Sequence, residues 1–306
     1  MATYQSLVKR SQNSHLVAQA KRRIAKLQSK QEPPSKRTDL PPRRIAPDTS
    51  TSAPQDSEHS QPRPMPTKPS LVQQLGLGVR TVVIDPGHGG KDPGALSQTW
   101  GQEKVVALDV SKTLRDILVE KGYHVQLTRN GDTYLPLRDR TRFATTHNAD
   151  LFVSIHANAS TNTSVSGVET YYLALASDES AQRTAAQENI GAQYNIEELD
   201  ALVTEILKKS KSTESRHLAE SVQEQLVRAT DAKNRGVKHA PFVVLIGTKV
   251  PAILVEVGFI THPREAQRLV TEAYQRQIAG AIARGIEKYA KGASVKTATI
   301  NRRIGE

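Results

Sequence analysis

The chain of 306 residues contains no cysteine. This absence excludes disulfide bonds, thiolate zinc sites, iron–sulfur clusters and thiol catalysis, so any bound metal must be held by histidine or carboxylate side chains. Aromatic residues make up only 4% of the chain. The sequence also lacks a run approaching the ~20 apolar residues of a membrane-spanning helix, so we expect no transmembrane segment.

Positive charge is concentrated near the N-terminus. The formal net charge of the chain is +11, and residues 1–80 contribute +9 of it. The remainder is nearly neutral and long enough to bury one sizeable core. Nucleic-acid binding through the basic segment is one interpretation of the charge. The segment has a single aromatic residue, Tyr4, and therefore no platform for stacking bases, so we expect no nucleic-acid partner.

Proline and small polar residues dominate the stretch that follows. Ten of the 16 prolines lie between Pro33 and Pro69. Such a stretch cannot bury enough apolar surface to offset the entropy lost on ordering, so we predict a disordered linker at 31–75. Residues 1–30 mix apolar and basic side chains, and they are predicted to form either a basic interaction helix or a solvated segment. No apolar stretch typical of a signal peptide follows the first charges.

Short apolar runs alternate with helical patterns from residue 81 onward. This alternation predicts an α/β fold with a mainly parallel sheet. The predicted strands are 81–85, 123–128, 151–156, 167–175, 242–246 and 252–257. The predicted helical segments are 103–121, 137–148, 180–229 and 263–290.

One helical segment is longer than a strand-to-strand crossover requires. It separates the strand at 167–175 from the strand at 242–246, and it contains an apolar stripe from Ile196 to Leu207 at helical spacing. A second apolar helix follows, and one of the two is enough to cover the sheet. The other is therefore predicted to be an insertion, at about 177–212.

Two histidines and one carboxylate are predicted to meet at one edge of the sheet. His88 follows the first strand, His156 ends the strand 151–156, and Glu103 begins the first helix. Ligands of open α/β sheets collect at the carboxyl ends of the strands. Two histidines and a carboxylate suit a catalytic zinc ion, and also non-haem iron. Taken singly, each histidine is explained as a turn residue and Glu103 as a partner of the helix dipole.

Glu256 lies inside the apolar strand 252–257. Burial of a carboxylate is costly unless the group is paired or serves a function. One interpretation is a glutamate that pairs with an arginine at a solvated strand end. The other is a general base whose pKa is raised by apolar surroundings.

Four separated segments resemble one family of cell-wall hydrolases, the zinc-dependent N-acetylmuramoyl-L-alanine amidases of the amidase-3 type. They are VVIDPGHGGKDPGA at 82–95, Glu103, SIHAN at 154–158 and PAILVEVGFITHPREAQRL at 251–269. The resemblance runs from about 81 to 289. It implies a mostly parallel six-stranded sheet flanked by helices. It also implies hydrolysis of the amide that joins the lactyl group of N-acetylmuramic acid to L-alanine.

The same resemblance implies roles for individual residues. His88, Glu103 and His156 would bind Zn²⁺, and Glu256 would be the catalytic carboxylate. The segment AAQEN at 185–189 is similar to that of a cell-separation subgroup. In that subgroup a glutamate of a helical insertion occupies the open zinc position until an activator protein of the LytM type displaces it. Glu188 matches this glutamate, and the stripe from Ile196 to Leu207 would then be the activator-facing or cover helix. The simpler alternative is that Glu188 is solvated and that this stripe packs on the sheet.

Four arginines in the segment 128–144 also belong to the resemblance. We interpret them as scaffold residues, with binding of a peptide carboxylate as the alternative; they are Arg129, Arg138, Arg140 and Arg142. His262, close to Glu256 in sequence, is a further candidate for a substrate contact.

These patterns predict a catalytic domain at 76–292, with the regulatory insertion at about 177–212 and a C-terminal tail at 293–306. A monomer that acts on peptidoglycan in the periplasm or cell envelope is expected, although no export signal is readable. The alternative is a catalytically silent module of the same fold that binds peptidoglycan or a partner protein. The four intact residues, His88, Glu103, His156 and Glu256, argue against that alternative.

Overall fold

The computed structural model describes residues 78–192, 194–209 and 213–304. The predicted basic helix at 1–30 and the predicted linker at 31–75 both lie outside the described residues. The described elements in chain order are β1 (Thr81–Pro86), α1 (Glu103–Glu120), β2 (His124–Leu127), α2 (Leu137–Thr146), β3 (Leu151–Asn158), β4 (Val168–Leu173), α3 (Glu179–Glu188), α4 (Ile196–Lys209), α5 (Thr213–Thr230), β5 (Asn234–Ala240), a 3₁₀ turn (Val243–Leu245), β6 (Ala252–Phe259), α6 (Pro263–Leu269) and α7 (Glu272–Ile304).

The strands of the described region form one six-stranded sheet in the order β2-β1-β3-β6-β4-β5. The first four strands in this order are parallel to one another. β4 pairs antiparallel with β6, and β5 pairs parallel with β4. The predicted α/β fold with a mostly parallel six-stranded sheet is confirmed.

Both faces of the sheet are covered by helices. On one face, side chains such as Ile84 and Val153 pack against α1, α5 and α7. On the other face, Phe152 and Leu254 pack with residues of α2, α3 and the 3₁₀ turn. The central strands are therefore apolar at nearly every position, as strands buried on both sides must be. Within the described residues, no helix is both long enough and apolar enough to cross a bilayer.

The predicted strand at 242–246 is wrong. This segment contains the 3₁₀ turn, whose buried side chains cover one face of the sheet. The strand itself is β5, the preceding edge strand of sequence NRGVKHA. Its low apolar content conceals it from pattern analysis, because an edge strand needs less buried surface than a central one.

Two predicted helical segments are divided in the structure. The segment 180–229 contains α3, α4 and α5, and the segment 263–290 is divided between α6 and α7. α5 supplies the apolar residues that cover the sheet, among them Leu218 and Val222. α7 continues to Ile304 and so includes most of the predicted C-terminal tail.

α7 and α5 cross in close contact at Gly285. A Cβ atom added to Gly285 would lie 2.6 Å from the Cα atom of Val222 and 3.0 Å from the carbonyl oxygen of Ser221. Both neighbours are backbone atoms, so neither can rotate away. By contrast, a Cβ atom on Gly280 of the same helix would meet only the end of the Arg284 side chain, at 3.4 Å.

We expect Gly285→Ala to lower the free energy of unfolding by about 1–3 kcal/mol, because the helices must separate to admit the methyl group. The matched control is Gly280→Ala, which is expected to be neutral or to stabilise by up to about 1 kcal/mol, since alanine favours helix. Urea unfolding followed by circular dichroism measures both. Equal effects of the two substitutions would contradict the close crossing.

Candidate metal centre

Three of the predicted site residues lie together at the carboxyl edge of β1 and β3. His88 follows β1 in a left-handed backbone conformation with φ of 60°. Glu103 is the first residue of α1, and His156 lies near the end of β3. Because β1 and β3 are neighbours in the sheet, the turn after β1 places His88 beside His156. The ring centroids of the two histidines are 4.9 Å apart.

The last residue of α3, Glu188, joins this group. His88 Nε2 lies 3.0 Å from Glu103 Oε1 and 3.2 Å from Glu188 Oε2. His156 Nδ1 lies 3.1 Å from Glu103 Oε1 and 2.8 Å from Glu188 Oε2. One ligand atom from each of the four residues lies within 4.8 Å of the other three, so the group could hold a metal ion.

The buried ligand atoms of this group are better placed to bind a metal ion than to form hydrogen bonds with one another. Among the described residues, His88 Nε2 and Glu188 Oε2 have no hydrogen-bond partner of good geometry, although both atoms are buried and close to opposite charges. Unsatisfied buried polar atoms are costly, and atoms that converge without aligning as donor and acceptor are typical of a coordination site. The two nitrogen and two oxygen donors suit a divalent transition metal.

The charges of the four residues also favour a bound metal ion. Burial alone lowers the pKa of a histidine, but the negative charges of Glu103 at His88 and of Glu188 at His156 outweigh it. The pKa of His156 is raised to about 10, and that of His88 is also raised. Burial acts to raise the pKa of Glu103 and Glu188, but the adjacent histidines hold both below their usual range. Two buried carboxylates thus attract two positive charges, which one divalent cation supplies while leaving the histidines neutral.

Further contacts fix the orientation of the ligands. Asp92 Oδ2 lies 3.0 Å from His88 Nδ1, so the other ring nitrogen is directed at the carboxylates. Glu103 accepts hydrogen bonds from the backbone amides of Ala95, at 2.8 Å, and Ala157, at 3.0 Å. Partners of this kind orient metal ligands in proteins. Asp92 was missed by the sequence analysis, although it lies four residues after His88.

Two buried arginines hold the turn that carries His88. Arg140 pairs with Asp85 at 3.0 Å and donates to the carbonyl oxygen of His88 at 2.7 Å. Arg129 donates to the carbonyl oxygens of Pro86, at 2.9 Å, and Gly87, at 2.7 Å. The scaffold interpretation is therefore confirmed for these two arginines.

The other two arginines of the segment 128–144, and His262, have different contacts. Arg142 pairs with Asp139 on the surface of α2, and Arg138 contacts Tyr194. His262 caps the N-terminus of α6, where its Nδ1 accepts from the amide of Glu265 at 3.2 Å. This contact accounts for His262 without a substrate.

Glu256 lies on β6 directly beside His156 of β3, its register partner. Its side chain is fully buried, and neither carboxylate oxygen has a hydrogen-bond partner among the described residues. Burial raises the pKa of Glu256 well above its usual value, and the negative charge of Glu188 raises it further. The solvated, arginine-paired interpretation of Glu256 is therefore wrong. A buried carboxyl group held unpaired beside a ligand cluster is suited to proton transfer.

α3 is anchored so that Glu188 reaches the cluster. Ala181 and Ala185 pack into the apolar layer on one face of the sheet. Asn189, the next residue after Glu188, donates to the carbonyl oxygen of Pro241 at 2.9 Å and accepts from the amide of Val243 at 2.8 Å. The alternative of a solvated Glu188 is therefore wrong, because its side chain is only 11% exposed. Asn189 was not singled out in the sequence.

The metal centre requires glycine at position 94. A Cβ atom there would lie 2.6 Å from both Glu103 Oε2 and His88 Cδ2. We expect Gly94→Ala to weaken Zn²⁺ binding about tenfold or more, as loss of supporting contacts around metal ligands does. The control is Gly122→Ala, which imposes similar strain at positive φ but meets no atom within 4 Å. Competition with a chromophoric chelator measures both affinities; equal affinities would contradict this geometry.

Comparison with known proteins agrees with the fold. The Amidase_3 family, described as N-acetylmuramoyl-L-alanine amidase, matches residues 82–288. N-acetylmuramoyl-L-alanine amidase AmiA of Escherichia coli K12 is 38% identical over 232 residues, covering 69% of this chain and 76% of AmiA. These matched residues contain all four members of the cluster and Glu256.

Solved structures show the same similarity. An N-acetylmuramoyl-L-alanine amidase from Clostridium difficile 630 is 34% identical, with a TM-score of 0.55 over 69% of this chain and 97% of that one. The CwlD amidase from Clostridioides difficile, solved in complex with the GerS lipoprotein, is 30% identical, with a TM-score of 0.55 over 69% of this chain and 98% of that one. The chain belongs to the amidase-3 family of N-acetylmuramoyl-L-alanine amidases.

Proposed function

We propose that the protein is a zinc-dependent hydrolase that cleaves the amide between N-acetylmuramic acid and L-alanine in peptidoglycan. The observation that carries the proposal is Glu256, a buried and unpaired carboxyl group beside the cluster of His88, Glu103 and His156. Membership of the amidase family supplies the class of substrate. A silent binding module would have no need to bury an unpaired carboxyl group at this position.

Zinc is the proposed metal because the donors are nitrogen and carboxylate oxygen and the chain has no thiol. His88, Glu103 and His156 would hold it. A bound Zn²⁺ supplies Lewis-acid polarisation of the amide carbonyl and lowers the pKa of a water molecule that it binds.

Glu256 performs the proton transfers. It accepts a proton from the water molecule whose oxygen attacks the amide carbon. It then delivers that proton to the nitrogen as the carbon–nitrogen bond breaks, so that L-alanine leaves as a neutral amine. The raised pKa of Glu256 suits both steps, because a carboxylate of ordinary pKa is a weak base at neutral pH.

We further propose that Glu188 holds the enzyme inactive. Its carboxylate lies among the other three ligands, where substrate and water would have to enter. A partner that withdraws α3 would open this position, and an activator of the LytM type is the expected partner. The CwlD amidase, which was solved in complex with the GerS lipoprotein, supports binding of a protein partner to this fold. The protein acts as a monomer in the periplasm or cell envelope, where peptidoglycan lies.

Replacement of Glu256 separates metal binding from catalysis. Glu256→Gln keeps the shape of the side chain but removes the base, so release of dye from labelled peptidoglycan should fall at least about 100-fold. Zinc content should stay unchanged, because Glu256 is not one of the four clustered ligands. Near-native release by this variant would remove Glu256 from the reaction.

Replacement of Glu188 tests the inhibition. Glu188→Ala should raise the basal rate about tenfold or more, the range of typical coupling energies, and a chelator should abolish the gain. Glu179→Ala on the same helix is the control, because Glu179 is 86% exposed and pairs with Arg183 on the helix surface. If both variants have the native basal rate, Glu188 does not block the site.

A further inference from the structure

A groove leads away from the metal centre along α2. The cleft at His88 and Glu188 and the adjoining groove share Pro136, Leu137 and Gly191 as lining residues. The groove continues to Arg138 of α2 and to Tyr194. A substrate whose scissile amide lies at the metal centre can therefore extend into this groove.

Arg138 lies in this groove without an acidic partner. Among the described residues, its Nη2 donates to the hydroxyl oxygen of Tyr194, and its guanidinium lies 5.0 Å from the centre of the Tyr194 ring. The neighbouring arginines of α2 are matched with carboxylates: Arg140 with Asp85 at 3.0 Å and Arg142 with Asp139 at 3.1 Å. Tyr194 offers a neutral acceptor, so the exposed guanidinium of Arg138 pairs with no carboxylate of the described residues.

Tyr194 belongs to the segment that begins with Glu188. This segment is held at the metal centre by Glu188, at the loop after β5 by Asn189, and at α2 by Tyr194. The contact between Arg138 and Tyr194 therefore helps to keep Glu188 in place. Any group that binds Arg138 more strongly than a phenol does would weaken the hold on Glu188.

We propose that Arg138 is a binding residue for a carboxylate of the stem peptide and that Tyr194 covers it while Glu188 occupies the metal centre. This inference rests on the proposed function, because the stem peptide is the part of the substrate that follows the scissile amide. A guanidinium pairs with a carboxylate through two parallel hydrogen bonds and opposite charge, which a neutral hydroxyl cannot match. Binding of a carboxylate-bearing substrate thus favours release of the inhibitory segment.

The carboxylate site is tested in the Glu188→Ala protein, whose metal centre is open. The probes are a soluble muramyl peptide with free carboxylates and the same peptide with every carboxylate converted to a primary amide. We expect kcat/KM to favour the free-carboxylate peptide about tenfold or more, the worth of a charged hydrogen bond. Adding Arg138→Gln should abolish this preference. Arg276→Gln on α7, which removes an exposed arginine paired with Glu272, is the control and should preserve it.

The covering contact is tested separately in the full chain. Tyr194→Phe removes the hydroxyl acceptor, so the basal rate should rise several-fold and hydrogen exchange at the amides of α3 should become faster. The preference for the free-carboxylate peptide should persist in this variant, because Arg138 is intact. An unchanged basal rate together with unchanged exchange would overturn the covering role of Tyr194.

Calorimetric measurement of the affinity for each of the two peptides tests the carboxylate site independently of the proposed function. If the Glu188→Ala protein cleaves neither peptide in the presence of Zn²⁺, the proposed function fails. Tighter binding of the free-carboxylate peptide, lost in Arg138→Gln, would still support the carboxylate site. Equal binding of the two peptides, or a preference that survives Arg138→Gln, would overturn it.

Discussion

The burial of two carboxylates against two histidines is the interaction on which the site depends. Glu103 and Glu188 are removed from water, and this cost must be offset by opposite charge at the same point. The surrounding structure keeps that point fixed. Arg140 and Arg129 bind the carbonyl oxygens of the turn that carries His88, and Asp92 sets the direction of its ring. Glu256 lies beside this charged group without a hydrogen-bond partner among the described residues, and burial raises its pKa, as the proposed proton transfer requires.

The proposed inhibition by Glu188 depends on how α3 packs in the fold. α3 covers part of the sheet and also places Glu188 among the other three clustered residues, so under the proposed inhibition the inhibited form is the folded form. Its buried side chains are small, being Ala181, Thr184 and Ala185. Burial of so little apolar surface stabilises the contact only modestly. Under the proposed inhibition, a partner of ordinary affinity, or a substrate bound at Arg138, would therefore withdraw the helix.

The sequence predicts the central strands of the sheet better than it predicts where the edge strand β5 and the helix α3 lie. The apolar strands 81–85, 151–156 and 252–257 are recognisable because they are buried on both faces, and their topology brings His88 and His156 to one edge. β5 escapes recognition because an edge strand tolerates the polar sequence NRGVKHA. Composition identifies the segment 180–229 as helical, but composition alone cannot show where its first helix, α3, docks. The position of Glu188 is therefore suggested only by family resemblance, and Asn189 and Tyr194 only by the structure.

The central claim is that Glu188 completes a zinc site formed by His88, Glu103 and His156. Anomalous diffraction at the zinc edge from crystals of the zinc-loaded protein tests it most directly. The account predicts one zinc ion with all four side chains in its coordination sphere, and loss of only the Glu188 ligand when a partner withdraws α3. A zinc ion bound elsewhere, or one at this centre with Glu188 outside the coordination sphere of the isolated protein, would contradict it.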